Sequence, residues 1–375
     1  MNFLEHAAKA YLLARVGIAV PRGVLCASAD EAAGAFAKTG PCVVKAQVPA
    51  GKRGKAGGIK KADTAEEARR AAVAILGMDI DGHKVESVLL EERASIAREL
   101  YAAVMIDAPA AQPLILFSGL GGMDIEEVAA ANPDALRRLH VPLSRGLTVA
   151  DAETLLEGLD LGEARAAIAD VLLKLYQAWR EAEAELIEIN PLAVLTDGRV
   201  VALDCKLTVD DASAERQGAL AAFAAPEELT PLEARAREAG LKFIELDGNV
   251  GLLANGAGLT MTTMDVVAFL GGRPANFLEI GGEAYTKAEI ALGIVLAHPQ
   301  VKSLVVNFCG AFARTDVMAD GVTAAWRKLN PGIPVFFSIH GTGEREAVAM
   351  VRERLGLEPF DLMEDAVQAA IEAAR

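Results

Sequence analysis

The sequence has little of what builds a stapled, metal-clustered or membrane-embedded protein. Its four cysteines, Cys26, Cys42, Cys205 and Cys309, lie far apart and form no CxxC pair. Neither a disulfide framework nor a zinc site is indicated. They fall mostly in apolar, strand-like runs, where buried free thiols are expected. No uninterrupted apolar run approaches the ~20 residues of a membrane-spanning helix. The opening residues, MNFLEHAAKAYLLARVG, carry a helical period and an early Glu5. That pattern fits neither a secretion signal nor a typical transit peptide, so a reduced, cytoplasmic setting is expected. Positive charge is scarce as well. Lys and Arg number 37 against 52 Asp and Glu, a net charge of −15, which argues against broad nucleic-acid binding. Histidine is rarer still. His6, His83, His140 and His298 occupy contexts that read as surface or capping positions, and His340 ends a strand-like run.

Against this acidic background one stretch stands apart. Residues 43–61 read VVKAQVPAGKRGKAGGIKK, with six Lys or Arg, four Gly and no acidic residue. Local positive charge on flexible backbone suits a small anion such as a nucleotide phosphate. At 375 residues and 52% hydrophobic content the chain can build about two domains. From residue 243 onward, apolar runs alternate with helical patterns: VGLLAN, ANFLEIGG, SLVVNFCG and PVFFSIHG each precede a helix. This predicts a doubly wound parallel sheet whose strand-end loops form a ligand crevice. The N-terminal part is an α+β mixture with a long helical stretch around 151–184. An Ala-rich, charged segment without strand signal separates the two, so the domains are set at 1–229 and 230–375.

The N-terminal part closes with a hairpin, ELIEINPLAVLTDGRVVALDCKL. A strand places Glu188 and Asn190 on one face, and Thr196-Asp197-Gly198 supplies a three-residue loop with Gly where φ must be positive. In that register Leu195 faces Arg199 and Asn190 faces Asp204. Their oxygens suit a Mg²⁺ ion that carries substrate phosphates. A solvated edge hairpin would show the same periodicity. It is the basic Gly-rich loop upstream that favours the metal reading, since phosphoryl transfer needs both a cation and a phosphate cradle.

Taken together, VVKAQVPAGKRGKAGGIK, LLEERASIARELY, ELIEINPL with VVALDCK, and LDGNVGLLANGAGLTMTTMD resemble the β subunit of the succinate–CoA ligase family. The resemblance implies an ATP-grasp domain followed by a flavodoxin-like domain. It also implies the reaction ATP + short carboxylic acid + CoA ⇌ ADP + phosphate + acyl-CoA. By the same resemblance, Lys45 and the loop Lys52-Arg53-Gly54 meet the nucleotide phosphates, Lys52 standing where Gly is usual. Glu91, Ala94 and Glu99 fall where the adenosine portion binds. Asn190 and Asp204 match the Mg²⁺ ligands, and Glu188 matches a carboxylate that steadies a phosphorylated histidine. Glu188 and Arg53 are thus the expected catalytic residues. The phosphohistidine belongs to a separate CoA-binding α subunit, giving an αβ or α2β2 assembly, and none of the five histidines here replaces it.

The acid site departs most from the family pattern. Asn255 matches an acid-contacting residue, but where the family reads Gly-Gly-Ile-Val only Gly310 survives, and Ala311, Phe312 and Ala313 replace the segment whose backbone amides meet the carboxylate. Glu283 and Tyr285 stand where the family has a shorter Gly-rich turn. Ser338 and His340 stand where succinate enzymes usually show Arg and Glu. An altered acid pocket is the expectation, for succinate held differently, malate, or another hydroxy- or sulfo-acid. A non-catalytic, nucleotide-binding regulatory subunit is a further reading. A dinucleotide-binding oxidoreductase is disfavoured, because Met261 stands where the third Gly after Gly256 and Gly258 would fall. A stand-alone carboxylate–amine ligase would leave the second domain unexplained.

Overall fold

The computed structural model describes residues 1–225, 229–281 and 284–375. The chain divides into two compact units, Met1–Glu227 and Glu228–Arg375.

The first unit opens with α1 (Glu5–Ala7), which runs on as a π-helix over Ala8–Leu13. A four-stranded antiparallel sheet follows. It takes β1 (Gly23–Cys26), β2 (Cys42–Ala46), β3 (Ile59–Ala62) and, after a small hairpin of β4 (Asp79–Ile80) with β5 (His83–Lys84), β6 (Val88–Glu92), in the order β1-β6-β2-β3. Two helices, α2 (Ala29–Thr39) and α3 (Ala65–Ile75), pack on it. Each begins where a hydroxyl accepts an otherwise orphaned N–H: Ser28 from Glu31, and Thr64 from Glu67. Buried alanines at helical spacing, Ala32 and Ala35 on one and Ala68, Ala71 and Ala72 on the other, let the pair lie close to each other and to the sheet.

A second sheet contains β7 (Ile96–Asp107), β8 (Gln112–Ser118), β9 (Leu136–His140), β10 (Ala184–Leu195) and β11 (Val200–Ala202) in the order β11-β10-β7-β8-β9, with β12 (Lys206–Val209) also on β10. Around it lie α4 (Ile125–Ala131), α5 (Val149–Leu156), α6 (Arg165–Glu181) and α7 (Gly218–Ala221). The helical stretch expected over 151–184 is in fact two helices. Gly158 and Gly162, both at positive φ, break it between α5 and α6. The hairpin has the expected register: Val194 pairs with Val200, Leu192 with Ala202, and Glu188 with Lys206. Gly198 sits in the turn at φ 85°.

The second unit begins with α8 (Pro231–Glu238), started by a capping box between Thr230 and Glu233. Its strands are β13 (Lys242–Glu245), β14 (Val250–Ala254), β15 (Asn276–Glu279), β16 (Ser303–Gly310) and β17 (Val335–Gly341). They form one sheet in the order β13-β15-β14-β16-β17. From β14 onward they run parallel, while edge strand β13 runs antiparallel to β15. Of the helices, α9 (Ala257–Phe269) and α13 (Met363–Ala373) cover the face of Leu252 and Val305. The opposite face, with Leu253, Val306 and Phe337, is covered by α10 (Ala284–Leu296), α11 (Thr315–Leu329) and α12 (Glu344–Leu355). This is the doubly wound arrangement expected. Strands are added on one side of β14 and then, from β16, on the other, so the winding reverses between β14 and β16 and residues after their carboxyl ends border the crevice.

Two burial expectations fail. His298 is not a surface residue: it is buried, its Nε2 meets the Leu246 carbonyl at 3.1 Å, and its Nδ1 accepts from the Gln300 N–H. Cys26, Cys42 and Cys205 are buried free thiols, but Cys309 is exposed because it lies one residue before the carboxyl end of β16.

Candidate active site

A cavity of about 580 Å³ in the first unit gathers the basic loop and the hairpin. Lys45 reaches it from β2, and Lys52, Arg53 and Gly54 from the loop that follows. Glu91 and Ala94 enter from β6 and the link to β7, and Glu99 from β7 itself. Glu188, Asn190 and Asp204 complete the wall from the hairpin side. Residues spread over 160 positions of sequence are thus brought to one cleft, from the carboxyl ends of β2 and β6, the start of β7 and the middle of β10.

The floor of the cleft is an alternating ionic network. The Lys45 ammonium lies 2.9 Å from Glu5 Oε1 and 2.6 Å from Glu91 Oε2, and it donates to the Leu203 carbonyl at 2.6 Å. Arg53 pairs with Glu5 Oε2 at 2.8 Å and Asp204 Oδ1 at 2.6 Å, and donates to the Ala46 carbonyl. Lys9 joins Glu5 Oε1 at 2.9 Å and also Glu91 Oε1. Three cations therefore face three carboxylates. Burial alone would push Lys45 and Arg53 toward their neutral forms. The carboxylates more than reverse this, so both are held firmly charged, Lys45 by Glu5 and Glu91 and Arg53 by Asp204 and Glu5. Burial likewise opposes ionisation of Glu5, yet Lys45, Lys9 and Arg53 together hold it well below the usual carboxylate range.

Sequence reasoning missed Glu5 and Lys9, reading them only as parts of a first helix. The available signal was a Glu–Lys pair four residues apart amid otherwise apolar positions, where a solvated face would be unexpected.

The hairpin side is held by a second loop. The Asn190 Oδ1 accepts from Gly122 N–H at 2.8 Å, and its Nδ2 donates to the Met123 carbonyl at 3.0 Å. Arg53 and the Cys205 N–H both address Oδ1 of Asp204 rather than Oδ2. The half-buried Glu188 accepts from the Tyr101 hydroxyl at 3.2 Å. Burial raises its carboxyl above the ordinary value, more than that hydrogen bond lowers it. Among the described residues no group of three or more His, Cys, Asp or Glu is arranged to hold a metal ion. The oxygen donors present are instead Asn190 and Asp204, a hard pair that suits a cation arriving with phosphate.

Lys52 adopts φ 57°, the left-handed conformation that glycine takes most easily. Its ammonium is 2.8 Å from Asp124 Oδ2, and Lys55 lies 3.2 Å from Glu127. The basic loop is thereby tied to the start of α4.

In the second unit, Asn255 follows β14, and both its amide atoms are used by Cys309: Nδ2 donates to the carbonyl at 2.9 Å, and Oδ1 accepts from the N–H at 2.8 Å. Ala311, Phe312 and Ala313 form the loop between β16 and α11, with none at positive φ, so the loss of Gly leaves no backbone strain there. Phe312 is fully exposed and fills no pocket. Ser338, expected to help reshape the acid pocket, is instead fully buried within β17, its hydroxyl without a partner among the described residues. His340 does sit near the end of that strand, opposite Cys309 and 3.7 Å from Glu344. Glu283 and the Tyr285 side chain lie outside the described residues.

Comparison with known proteins agrees with this division. An ATP-grasp domain model matches residues 2–194, and a CoA-ligase model matches residues 253–370. The succinate–CoA ligase (ADP-forming) subunit beta of Rubrobacter xylanophilus is 45% identical, over 100% of this chain and 99% of that protein. The corresponding protein of Chloroflexus aurantiacus is 42% identical over 97% of each. An ATP citrate lyase from Methanothrix soehngenii, solved with citrate and coenzyme A, shares the fold with a TM-score of 0.75 at 23% identity, covering 99% of both chains. With full-length relatives at this identity and an ATP-grasp unit followed by a CoA-ligase unit, the chain belongs to the succinate–CoA ligase (ADP-forming) β-subunit family.

Proposed function

We propose that the chain is the nucleotide-phosphorylating subunit of an ADP-forming acid–CoA ligase. With a CoA-binding α subunit that carries a phosphorylated histidine, it interconverts ATP, succinate and CoA with ADP, phosphate and succinyl-CoA. One observation carries the reading: the buried cations Lys45 and Arg53, the basic loop, and the oxygens of Asn190 and Asp204 line one cleft. Phosphoryl transfer requires those parts together. Residues 1–229 form the nucleotide half and 230–375 the half that meets the acid. The protein works in the cytoplasm, a setting that its three buried free thiols suit.

In the direction of nucleotide synthesis, the partner's phosphohistidine enters the cleft and Glu188 orients its ring. Lys45 and Arg53 hold the ADP phosphates, and Lys52 with Gly54 closes the loop over them. Glu91 takes the ribose hydroxyls, the Ala94 backbone meets the base, and Glu99 borders the adenosine. Asn190 and Asp204 would hold Mg²⁺, which when bound neutralises charge spread over the phosphate oxygens. The acid binds in the second unit at Asn255 and at the backbone N–H groups of Ala311, Phe312 and Ala313, in the loop that leads into α11.

The test is co-expression with the α subunit, followed by acyl-CoA formation from a panel of short acids with ATP and Mg²⁺. Turnover led by succinate is expected, and Asp204→Ala should abolish it while leaving the melting curve cooperative. A hydroxy- or sulfo-acid such as malate as best substrate would reassign the acid. Nucleotide binding without turnover of any acid would favour a regulatory subunit.

A further inference from the structure

The buried pair Glu5 and Lys9 is not accounted for by any step above, yet it contacts the phosphate-binding cations directly. Glu5 is 2% exposed and divides its carboxylate: Oε1 lies 2.9 Å from the ammonium of Lys45 and 2.9 Å from that of Lys9, and Oε2 lies 2.8 Å from Arg53 Nη2. Lys9 is 3% exposed and reaches over to Glu91, the second carboxylate on Lys45. Both lysines also donate to the one carbonyl of Leu203, the residue before Asp204.

The segment that carries Glu5 is itself pinned to the cleft. Phe3 N–H donates to the Leu207 carbonyl, and His6 N–H to the Gln47 side chain, whose amide in turn approaches Glu5 Oε2. The Ala14 N–H bonds to the Lys9 carbonyl, five residues back, in the π-turn that follows. A long, flexible lysine gains a fixed position only if something behind it holds the ammonium, and here the carboxylate of Glu5 stands behind Lys45 and Arg53 at once.

We propose that Glu5 is a positioning residue for phosphate recognition. Its two oxygens set the spacing of Lys45 and Arg53, and Lys9, paired with both Glu5 and Glu91, holds the two carboxylates in place behind those cations. This rests on the reading of the cleft as a nucleotide site. It predicts an effect centred on the phosphates, because Glu5 makes no bond to Glu91, Ala94 or Glu99, and Glu91 keeps its pairs with Lys45 and Lys9 when Glu5 is lost. Without Glu5 the buried cations outnumber their carboxylates three to two, and Lys45 loses one of two anionic anchors.

The test measures ADP and adenosine binding to the full chain by calorimetry at fixed Mg²⁺, for wild type, Glu5→Gln and Glu5→Asp. For Glu5→Gln, ADP affinity should fall about 10- to 100-fold, the range for losing a charge-assisted hydrogen bond, while adenosine affinity stays within about twofold. Glu5→Asp keeps the charge but withdraws it by one methylene, so it should recover part of the loss. Unchanged ADP affinity in Glu5→Gln would overturn the proposal. So would equal losses for ADP and adenosine, which would mark a purely structural brace. Should Glu5→Gln not fold, Glu5→Asp carries the test alone, a several-fold loss for ADP without one for adenosine being required. Wild type that fails to prefer ADP over adenosine would instead refute the nucleotide reading itself.

Discussion

Replacing Gly121 with Ala would put a methyl group into the closest glycine-to-backbone approach of the first unit, one residue before the cleft-lining Gly122. An ideal Cβ at this position would lie 2.1 Å from the Leu100 carbonyl oxygen, 2.3 Å from its carbon and 2.7 Å from its nitrogen. Unstrained carbon contacts lie near ~3.5 Å, so the overlap is roughly 1 Å. It falls on backbone, which no rotamer change can move. Gly121 also donates its N–H to the Glu99 carbonyl at 3.0 Å, so the approach is part of the loop's own bonding. The loop must therefore shift by about 1 Å, and the next two residues move with it. Gly122 and Met123 hold both amide atoms of Asn190. Each such bond is worth about 0.5–1.5 kcal/mol, and a misplacement of ~1 Å at a reacting centre costs on the order of 100-fold in rate. The expected result is a folded variant with a melting temperature a few degrees lower and nucleotide phosphorylation reduced about 100-fold in the assembled enzyme. Gly51 lines the cleft itself and an added methyl there has nothing within 4 Å, so Gly51→Ala serves as the stability control. Activity of Gly121→Ala within threefold of wild type would refute the reasoning.

Three further outcomes follow from the same geometry. Burial raises the Glu188 carboxyl, so its ionised form weighs against the fold above that raised value, and the penalty disappears as pH falls through it. Glu188→Gln should therefore melt higher than wild type at neutral pH and converge with it in acid, even as phosphoryl transfer is lost. Melting curves between pH 4 and 8, chosen to bracket the ordinary carboxylate range, decide this, and a constant difference would contradict it. Lys52→Gly relieves a left-handed lysine but removes the shorter of the loop's two ion pairs to Asp124, so amide exchange over residues 51–57 should quicken. Equal exchange would mean the ion pair does not hold the loop. In the native chain Cys309 should react with iodoacetamide well before Cys26, Cys42 and Cys205. Mass spectrometry reporting any of those three first would show the burial assignment to be wrong.

The outcome for the hairpin shows how far sequence reading carries. Its register came from turn chemistry and a period of two, both properties of adjacent residues, and Leu195 N–H indeed bonds to the Arg199 carbonyl across a three-residue turn. The alternation of strand and helix after residue 243 was legible for the same reason. So was the phosphate-type character of residues 43–61, since a run of charge on flexible backbone needs no distant partner to be seen.

What the sequence by itself determined, then, was local: the strands and helices, the hairpin register, the basic loop, and through motif order the family. Which groups meet was decided only by tertiary structure. Glu5 joins Lys45 and Arg53 across forty to fifty residues, and Asn190 turns its amide to a loop nearly seventy residues earlier. Ser338 and His298 are buried while Phe312 and Cys309 face solvent, outcomes that depend on where β16, β17 and α10 end in space. Periodicity reports which side of an element is apolar, but the partner on the other side comes from a different part of the chain. Burial, ion pairing and the direction of every pKa shift in the cleft depend on that partner.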